Sequence, residues 1–317
     1  MLGRYFFIVE CDKIKIPMKD ASPFVDEYVE FLNEFLHEDA KRCSVVFDCS
    51  NGATGPIIER LFPDSIIING RPDGNFPNHA PDPLQADVMH MLQKKVVANY
   101  ADVGIIFDAD GDRMFVVDDR GRVVSSDAIA YLLLWSLRPK QFVSDSKAGW
   151  LIKKQPFAAK RIESKTGHYF IKQTMRSHAA DFGHEASGHY YFKNFFYCDS
   201  GILAAIEVLN ALVQLPYRLS DFVDLLPVTY VSAEINVPVS SDAHTALFAR
   251  IKRTYEAKAK RVSRLDGITM EFSDPDWWFN VRLSNTEPLV RLHLEARDKG
   301  VYDVQLKKLT ELIKQGK

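Results

Sequence analysis

The sequence predicts an α/β protein: two small α/β domains, residues 24–136 and 137–226, then an α+β domain over 227–317, with residues 1–23 as an N-terminal remnant. Three observations carry this. The run "SVVFDCSNGATGPIIERLFPDSIIING" reads strand, glycine-containing turn, helix, strand, which is a βαβ unit. A second cycle of short apolar strands and amphipathic helices begins at "QFVSD". After residue 226 apolar and polar side chains alternate, as they do in half-exposed antiparallel strands.

In the first unit, Ile57, Ile58 and Leu61 fall on one helical face, and Val88, Leu92 and Val96 mark a second helix that leads into the buried strand "VGIIF". A hairpin turn at "DDRGR" follows, and "SDAIAYLLLWSL" has the serine start and apolar body of an N-capped buried helix. The second unit runs through "GWLIKKQ", "RIES" and "YFIKQTMR" to the apolar helix "SGILAAIEVLNALVQL". Two such units suggest duplication, although no sequence repeat is visible. In the last part "TYVSAEINVPV" and "LVRLHLEA" read as strands, with helices over 243–258 and 301–315 covering one face.

Composition excludes several classes of function. At 317 residues, 46% hydrophobic and 26% charged, the chain has room for two or three cores at ~100–150 residues per domain. Lys and Arg number 40 against 42 acidic residues and form no basic stripe, so nucleic acid is not an expected partner. No apolar run reaches the ~20 residues that cross a bilayer, and the N-terminal stretch does not read as a secretory signal. A cytoplasmic location without membrane partners follows by default. Cysteines 11, 43, 49 and 198 form no CxxC pair and are expected to be buried, reduced thiols.

Three short stretches carry chemistry. In "IIFDADGDRMFVVDD", alternate residues Asp108, Asp110 and Asp112 can turn their carboxylates toward one point, where hard oxygen ligands suit Mg²⁺ or Ca²⁺. An EF-hand is excluded, because its sixth position must be glycine and here it is Arg113. A solvated turn is the plain alternative. The same letters also resemble the D-x-D-G motif of haloacid-dehalogenase-type phosphotransferases, in which Asp108 would be a nucleophile, but that family normally has threonine or valine where this chain has Asp112. In "GHEASGHYYF", Glu185 and Ser187 can point the same way from an extended segment and read sugar hydroxyls, while Gly188 permits a close approach. A partly buried polar turn explains the same letters. In "RLSNTEPLVR", Arg282 and a turn of hydroxyl and amide residues can direct donors at one phosphate, and an ordinary hairpin turn is the alternative.

Together, "DADGDR", "EASGH" and "RLSNTEP", in this order and separation, resemble the metal, sugar and phosphate loops of the α-D-phosphohexomutases, the phosphomannomutase/phosphoglucomutase superfamily. "DCSNGATG", "PDGNFPNHAPDPL" and "SKTGHYFIKQTM" extend the resemblance from about residue 24 to the end. It implies two phosphohexomutase-type α/β domains followed by the α+β domain. It also implies Mg²⁺ at Asp108, Asp110 and Asp112, and Arg113 at the phosphoryl-transfer site. Lys165 and His168 would be acid/base or charge-stabilising groups. Glu185, Ser187 and His189 would bind the sugar, and Arg282, Ser284, Asn285 and Thr286 the phosphate that does not react. The implied substrates are glucose and mannose 1- and 6-phosphates, with a hexose 1,6-bisphosphate as activator. Two departures bear on substrate fit: His184 stands where glycine is usual, and Ser200 where a second aspartate is common.

Family members have four domains, the first carrying a phosphoserine in a T-x-S-H-N-P loop. These 317 residues hold no such loop, and the nearest fragment, "DASPF" around Ser22, is preceded by about twenty residues against the ~50 of a small domain. The expectation is a phosphohexomutase that lacks its serine domain through a split or truncated gene and is inactive on its own, with a separate serine-domain chain as a partner in the split case. A non-catalytic phosphosugar-binding protein and an aspartate-nucleophile phosphatase are the alternatives.

Overall fold

The computed structural model describes residues 22–85, 87–240, 243–284 and 288–314. Helix α1 (Ser22–Asn33) precedes the first sheet unit, made of β1 (Val45–Asp48), α2 (Gly55–Leu61), β2 (Ile66–Ile68), α3 (His90–Ala98), β3 (Val103–Phe107), β4 (Met114–Asp118) and β5 (Val123–Val124). Its strand order is β2-β1-β3-β4-β5: β1 runs parallel to β2 and β3, and β4 and β5 return antiparallel. Helix α4 (Ser126–Leu137) follows, with the Ser125 hydroxyl accepting from the Ala128 N–H at 3.2 Å as the N-cap.

The second unit repeats this plan. It comprises β6 (Gln141–Asp145), α5 (Trp150–Lys153), β7 (Lys160–Ser164), α6 (His168–His178), β8 (Phe182–His184), β9 (Tyr190–Phe192) and β10 (Cys198–Asp199), then α7 (Gly201–Leu212) and α8 (Leu219–Asp224). The order is β10-β9-β8-β6-β7, with β6 parallel to β7 and β8, and β9 and β10 antiparallel. Strand for strand it is the first sheet again, and α7 opens like α4 on a serine N-cap, Ser200 accepting from the Leu203 N–H at 3.1 Å. That cap is the work of the serine that stands where an aspartate was expected. Backbone pairing depends little on side-chain identity, which is why a duplication with no sequence repeat is plain in the fold.

A single apolar core runs through both units, from Leu32 and Phe47 past Leu132 on α4 to Leu203 and Phe222. It needs no water-facing layer between the sheets, and so α4 and α7 are apolar on most of their surface.

The third unit contains β11 (Tyr230–Val231), β12 (Ile235–Pro238), α9 (His244–Tyr255), β13 (Arg261–Ser263), β14 (Ile268–Ser273), β15 (Asp276–Leu283), β16 (Leu289–Ala296) and α10 (Lys299–Lys314). Its sheet is antiparallel, in the order β11-β16-β15-β14-β13, and β12 also pairs with β16. Leu247, Ile251, Leu309 and Ile313 bring α9 and α10 onto the sheet face that holds Met270, Val281 and Leu292.

Strand β15 departs from the half-exposed expectation, being buried from Trp277 to Arg282. The second unit covers its other face. There Glu295 accepts from the Trp150 N–H at 2.9 Å and from Trp278 Nε1 at 2.6 Å, and Lys153 Nζ lies 3.2 Å from the centre of a Trp278 ring. Among the described residues no helix is long and apolar enough to cross a membrane. Cys43, Cys49 and Cys198 are free thiols as expected, but only Cys49 is fully buried, and burial pushes its thiol up to about 12.

Candidate active site

The aspartate loop joins β3 to β4. Gly111 turns it at φ +77°, a conformation that suits glycine, and a Cβ there would stand 2.4 Å from Thr54. Asp108 directly follows the buried strand and is itself buried; it accepts from the N–H groups of Gly111 and Arg113, both at 3.1 Å, and from Arg113 Nε at 2.6 Å. Burial, and then the charge of Asp112, push its carboxyl up to about 6. Asp112 is half-buried. Burial acts to raise its carboxyl, but the hydrogen bond and charge of His189 outweigh this and hold it below the usual range. Arg113 is fixed from two sides, by Asp108 and by Asp82 at 3.0 Å from the loop "PDGNFPNHAPDPL".

Carboxylate oxygens of Asp108, Asp110 and Asp112 lie within 4.8 Å of one another. Oxygens sharing one Mg²⁺ at ~2.1 Å are ~3–4 Å apart, so a small contraction would close the set on an ion. The donor set also fits by its chemistry. Asp112 Oδ1 is buried without a hydrogen-bond partner, its nearest cation being Arg113 Nε at 3.8 Å, and the Asp108–Asp112 repulsion is what a divalent ion would relieve.

The loop between β8 and β9 is the equivalent connection of the second unit, and the two loops touch. Arg113 and His189 form an antiparallel bridge, the Met114 N–H donates to Gly188 O at 3.1 Å, and the Gly201 N–H donates to Gly111 O at 2.9 Å. Gly188, at φ +91°, faces the Phe115 ring at a distance where a Cβ would sit 2.6 Å from Cζ. The segment is a turn and not the extended stretch expected, because the Gly188 N–H closes back on Glu185 O at 3.0 Å. Glu185 and Ser187 still converge, on His189: Ser187 Oγ lies 2.9 Å and Glu185 Oε2 3.7 Å from its Nδ1. The Glu185 carboxylate is buried and oriented by the Gly167 N–H at 2.6 Å and the Tyr191 hydroxyl at 2.5 Å. His189 Nε2 reaches Asp112 at 3.4 Å, which joins the Glu185 loop to the aspartate loop through one side chain.

Lys165 and His168 flank Gly167 but are themselves exposed. Lys165 Nζ lies 5.3 Å from the centre of the Phe170 ring, and His168 lines an open concavity along α6 with Lys172 and Arg176. Neither forms a hydrogen bond or ion pair with Glu185 or the aspartates among the described residues. The buried lysine at this end of the second unit is Lys147, in the β6–α5 loop.

Arg282, at the end of β15, is buried and donates to Glu234 Oε2 at 3.1 Å. Lys147 Nζ meets the same oxygen at 3.2 Å, and Arg291 meets Oε1 at 3.0 Å and the Ser284 hydroxyl at 3.3 Å. Burial would raise the Glu234 carboxyl, but Lys147, then Arg282 and Arg291, hold it below its usual range. Asn285 and Thr286 lie outside the described residues. Asp266 ties the third unit to the second beside Gly167, accepting from the Thr166 N–H at 3.1 Å and from Ser146 at 3.3 Å. The three loops thus border one cleft. Lys147, Glu234, Asp266 and Asp82 are the members that the sequence reading missed. Lys147 alone had a signal, as a charge in the loop just beyond a buried strand, the kind of placement that drew attention to the aspartates.

The molecule is of a definite class, an α/β protein with clustered carboxylates, a buried glutamate and a nest of guanidinium groups around one cleft. Comparison narrows the class. Three family models match in succession: phosphoglucomutase/phosphomannomutase alpha/beta/alpha domain II over residues 26–121, alpha/beta/alpha domain III over 125–230 and the C-terminal domain over 234–305. A phosphomannomutase of Salmonella typhimurium is 34% identical over 308 residues, 92% of this chain and 67% of the relative; one of Methanocaldococcus jannaschii is 32% identical, covering 91% and 65%. The crystal structure of a phosphoglucomutase/phosphomannomutase family protein from Burkholderia thailandensis superposes with a TM-score of 0.76 at 26% identity, covering 92% of this chain and 64% of that one. The chain belongs to the α-D-phosphohexomutase superfamily, and it spans about two thirds of the length of the relatives it matches.

Proposed function

We propose that this chain binds a hexose phosphate and carries the metal, sugar and phosphate sites of a mutase that interconverts glucose or mannose 1- and 6-phosphates, with the hexose 1,6-bisphosphate as activator. The observation that carries the reading is the main-chain junction of the two loops, where the Arg113–His189 bridge sets the aspartate triad directly against Glu185. In this reading Arg282 and Ser284 hold the phosphate that does not react, Glu185 orients the sugar through its hydroxyls, and Arg113, fixed by Asp108 and Asp82, faces the phosphoryl group in transfer. Mg²⁺ held by Asp108, Asp110 and Asp112 would supply charge stabilisation to that group. A mutase of this kind needs a residue that donates and recovers the phosphoryl group, and we place that residue outside these 317 residues. A separate chain as its source finds no support among the relatives.

Two neighbouring readings divide on specific observations. Both oxygens of Asp108 are occupied by donors and the residue is buried, so it is poorly placed for in-line attack on phosphorus, and beryllofluoride should form no adduct there. A purely phosphosugar-binding role predicts affinity without turnover under any conditions. The deciding experiment is a coupled mutase assay with hexose 1,6-bisphosphate, run on the chain alone and with an added, phosphorylated family serine domain. We expect Arg282-dependent binding of glucose or mannose phosphate by the chain alone and interconversion only with the domain. Robust turnover by the chain alone, surviving Ser22→Ala, would refute the assignment of the phosphoryl carrier.

A further inference from the structure

Around Glu234 one carboxylate meets three cations drawn from two units of the fold. Glu234 stands just before β12. Lys147 comes from the β6–α5 loop, Arg282 from β15 and Arg291 from β16. The Lys147 and Arg282 side chains are 11% and 8% exposed, so the cluster is largely withdrawn from water and its charges are felt strongly. Lys147 and Arg282 both meet the one oxygen Oε2 of this carboxylate, at 3.2 and 3.1 Å, an arrangement that suits a ligand bringing more than one anionic oxygen, as a phosphate monoester with a charge of about −1.5 to −2 at neutral pH does. The carboxylate also leaves demand unmet: Arg282 Nε is buried with no hydrogen-bond partner. A phosphate, with three terminal oxygens, can meet a guanidinium fork and Nε together, which a carboxylate already shared among three cations does not.

Resting on the reading that Arg282 meets the ligand's phosphate, we infer that Glu234 is an internal stand-in for that phosphate and sets the affinity of the site. Without ligand its carboxylate holds Lys147 of the second unit against Arg282 and Arg291 of the third. An arriving phosphate takes over Arg282, displaces the carboxylate, and in doing so frees the Lys147 ammonium to turn to the ligand. Glu234 is therefore a positioning and specificity-determining residue: it disfavours weak monoanions, which cannot outcompete it, and admits dianions.

Calorimetric titration of the full chain with inorganic phosphate, glucose 1-phosphate and unphosphorylated glucose tests this. Glu234→Gln keeps the side-chain shape and removes the charge. It should tighten both phosphorylated ligands by about tenfold, equivalent to about 1.4 kcal/mol, and leave glucose unchanged. Unchanged or weaker phosphate binding by Glu234→Gln overturns the inference. Glu234→Asp, one methylene shorter and unable to reach all three cations, should tighten phosphate by about two- to threefold. If Glu234→Gln does not fold, Glu234→Asp decides alone, and wild-type affinity in that variant counts against the idea. Melting gives an independent readout. Glu234→Gln should melt below wild type without phosphate and recover at saturating phosphate, whereas a merely structural carboxylate would leave the deficit in both conditions. Failure of the parent reading looks different: phosphate binding that survives Arg282→Ala moves the phosphate away from this cluster and sinks both, while Arg282-dependent binding that Glu234→Gln leaves unaltered sinks only the role of Glu234.

Discussion

Gly201→Ala is the sharpest probe of the junction between the two loops. Gly201 is the first residue of α7, and a Cβ built on it would lie 2.7 Å from both Arg113 O and Gly111 O, against about 3.4 Å for ordinary contact. The obstacle is the backbone of the aspartate loop and not a side-chain tip that can swing aside, so about 0.7 Å of main-chain displacement is required. Overpacking of this kind costs roughly 1–3 kcal/mol, and stretching the Gly201 N–H bond to Gly111 O adds roughly 1 kcal/mol. The helix itself argues the other way, since alanine is favoured over glycine by roughly 0.5–1 kcal/mol in helices. A net loss can therefore be assigned to the contact. Because metal ligands tolerate only about 0.2 Å of error, the shift should also weaken Mn²⁺ binding by roughly 10–100-fold. The assay is Mn²⁺ water-relaxation titration, with hydrogen exchange at the Met114 amide as a local stability readout. Gly74→Ala, at a position with nothing within 4 Å, is the control. Wild-type Mn²⁺ affinity together with unchanged Met114 protection in Gly201→Ala would show that the close approach does not hold the loop.

Other perturbations separate the parts of the cleft. Arg282→Ala should cost ~2–4 kcal/mol of phosphosugar binding and leave unphosphorylated sugar unaffected; equal calorimetric losses for both ligands would point to misfolding. Tyr191→Phe removes the hydroxyl that donates to Glu185 Oε2 at 2.5 Å, so sugar-phosphate affinity should fall by ~1.5–3 kcal/mol while inorganic phosphate binds as before. Asp110→Asn should weaken Mn²⁺, and an unchanged relaxation titration would exclude that carboxylate as a ligand. Lys153 predicts an unusual alkaline profile. Burial first, then Arg161, lower its ammonium from 10.5 to about 8, so between these values the unfolded chain holds a proton that the folded chain has released. Stability should then rise with pH across that window by up to about 3 kcal/mol. In Lys153→Met, urea midpoints at pH 7 and pH 9.5 should lose this rise, and a wild-type slope in the variant would assign it elsewhere.

The alternation of strands and helices could be read from the sequence because β1 and β3 are short apolar, largely β-branched runs and the two apolar helices α4 and α7 open on a serine. The helices expected over 243–258 and 301–315 correspond to α9 with the 3-10 turn Glu256–Lys258 after it, and to α10. The carboxylate cluster was legible for a local reason: three acids at alternate positions can converge within one loop. What escaped depends on contacts between distant segments. Glu234 and Lys147 lie 87 residues apart and belong to no motif, so neither signals the other. The burial of β15 on both faces was hidden because the alternation in the neighbouring β16 describes a sheet in isolation, whereas Trp150 and Lys153 of another unit cover its polar side. The turn at Glu185 was missed because only the positive φ of Gly188, which depends on Phe115 across the junction, bends a segment whose letters also suit a strand.

The bridge between Arg113 and His189 pairs the residue just before β4 with the residue just before β9, which are the same position in the two repeated units. Like meets like across an antiparallel contact, which is how the self-complementary interface of a symmetric dimer is built. In a true dimer of identical subunits, any substitution near the axis appears on both sides at once, so a carboxylate added to one copy faces its own repulsive twin. Here the two copies are covalently one chain and have drifted independently. One turn could gather three aspartates while its counterpart took glutamate, serine and histidine, and a contact of symmetric origin could become a cleft with two different walls.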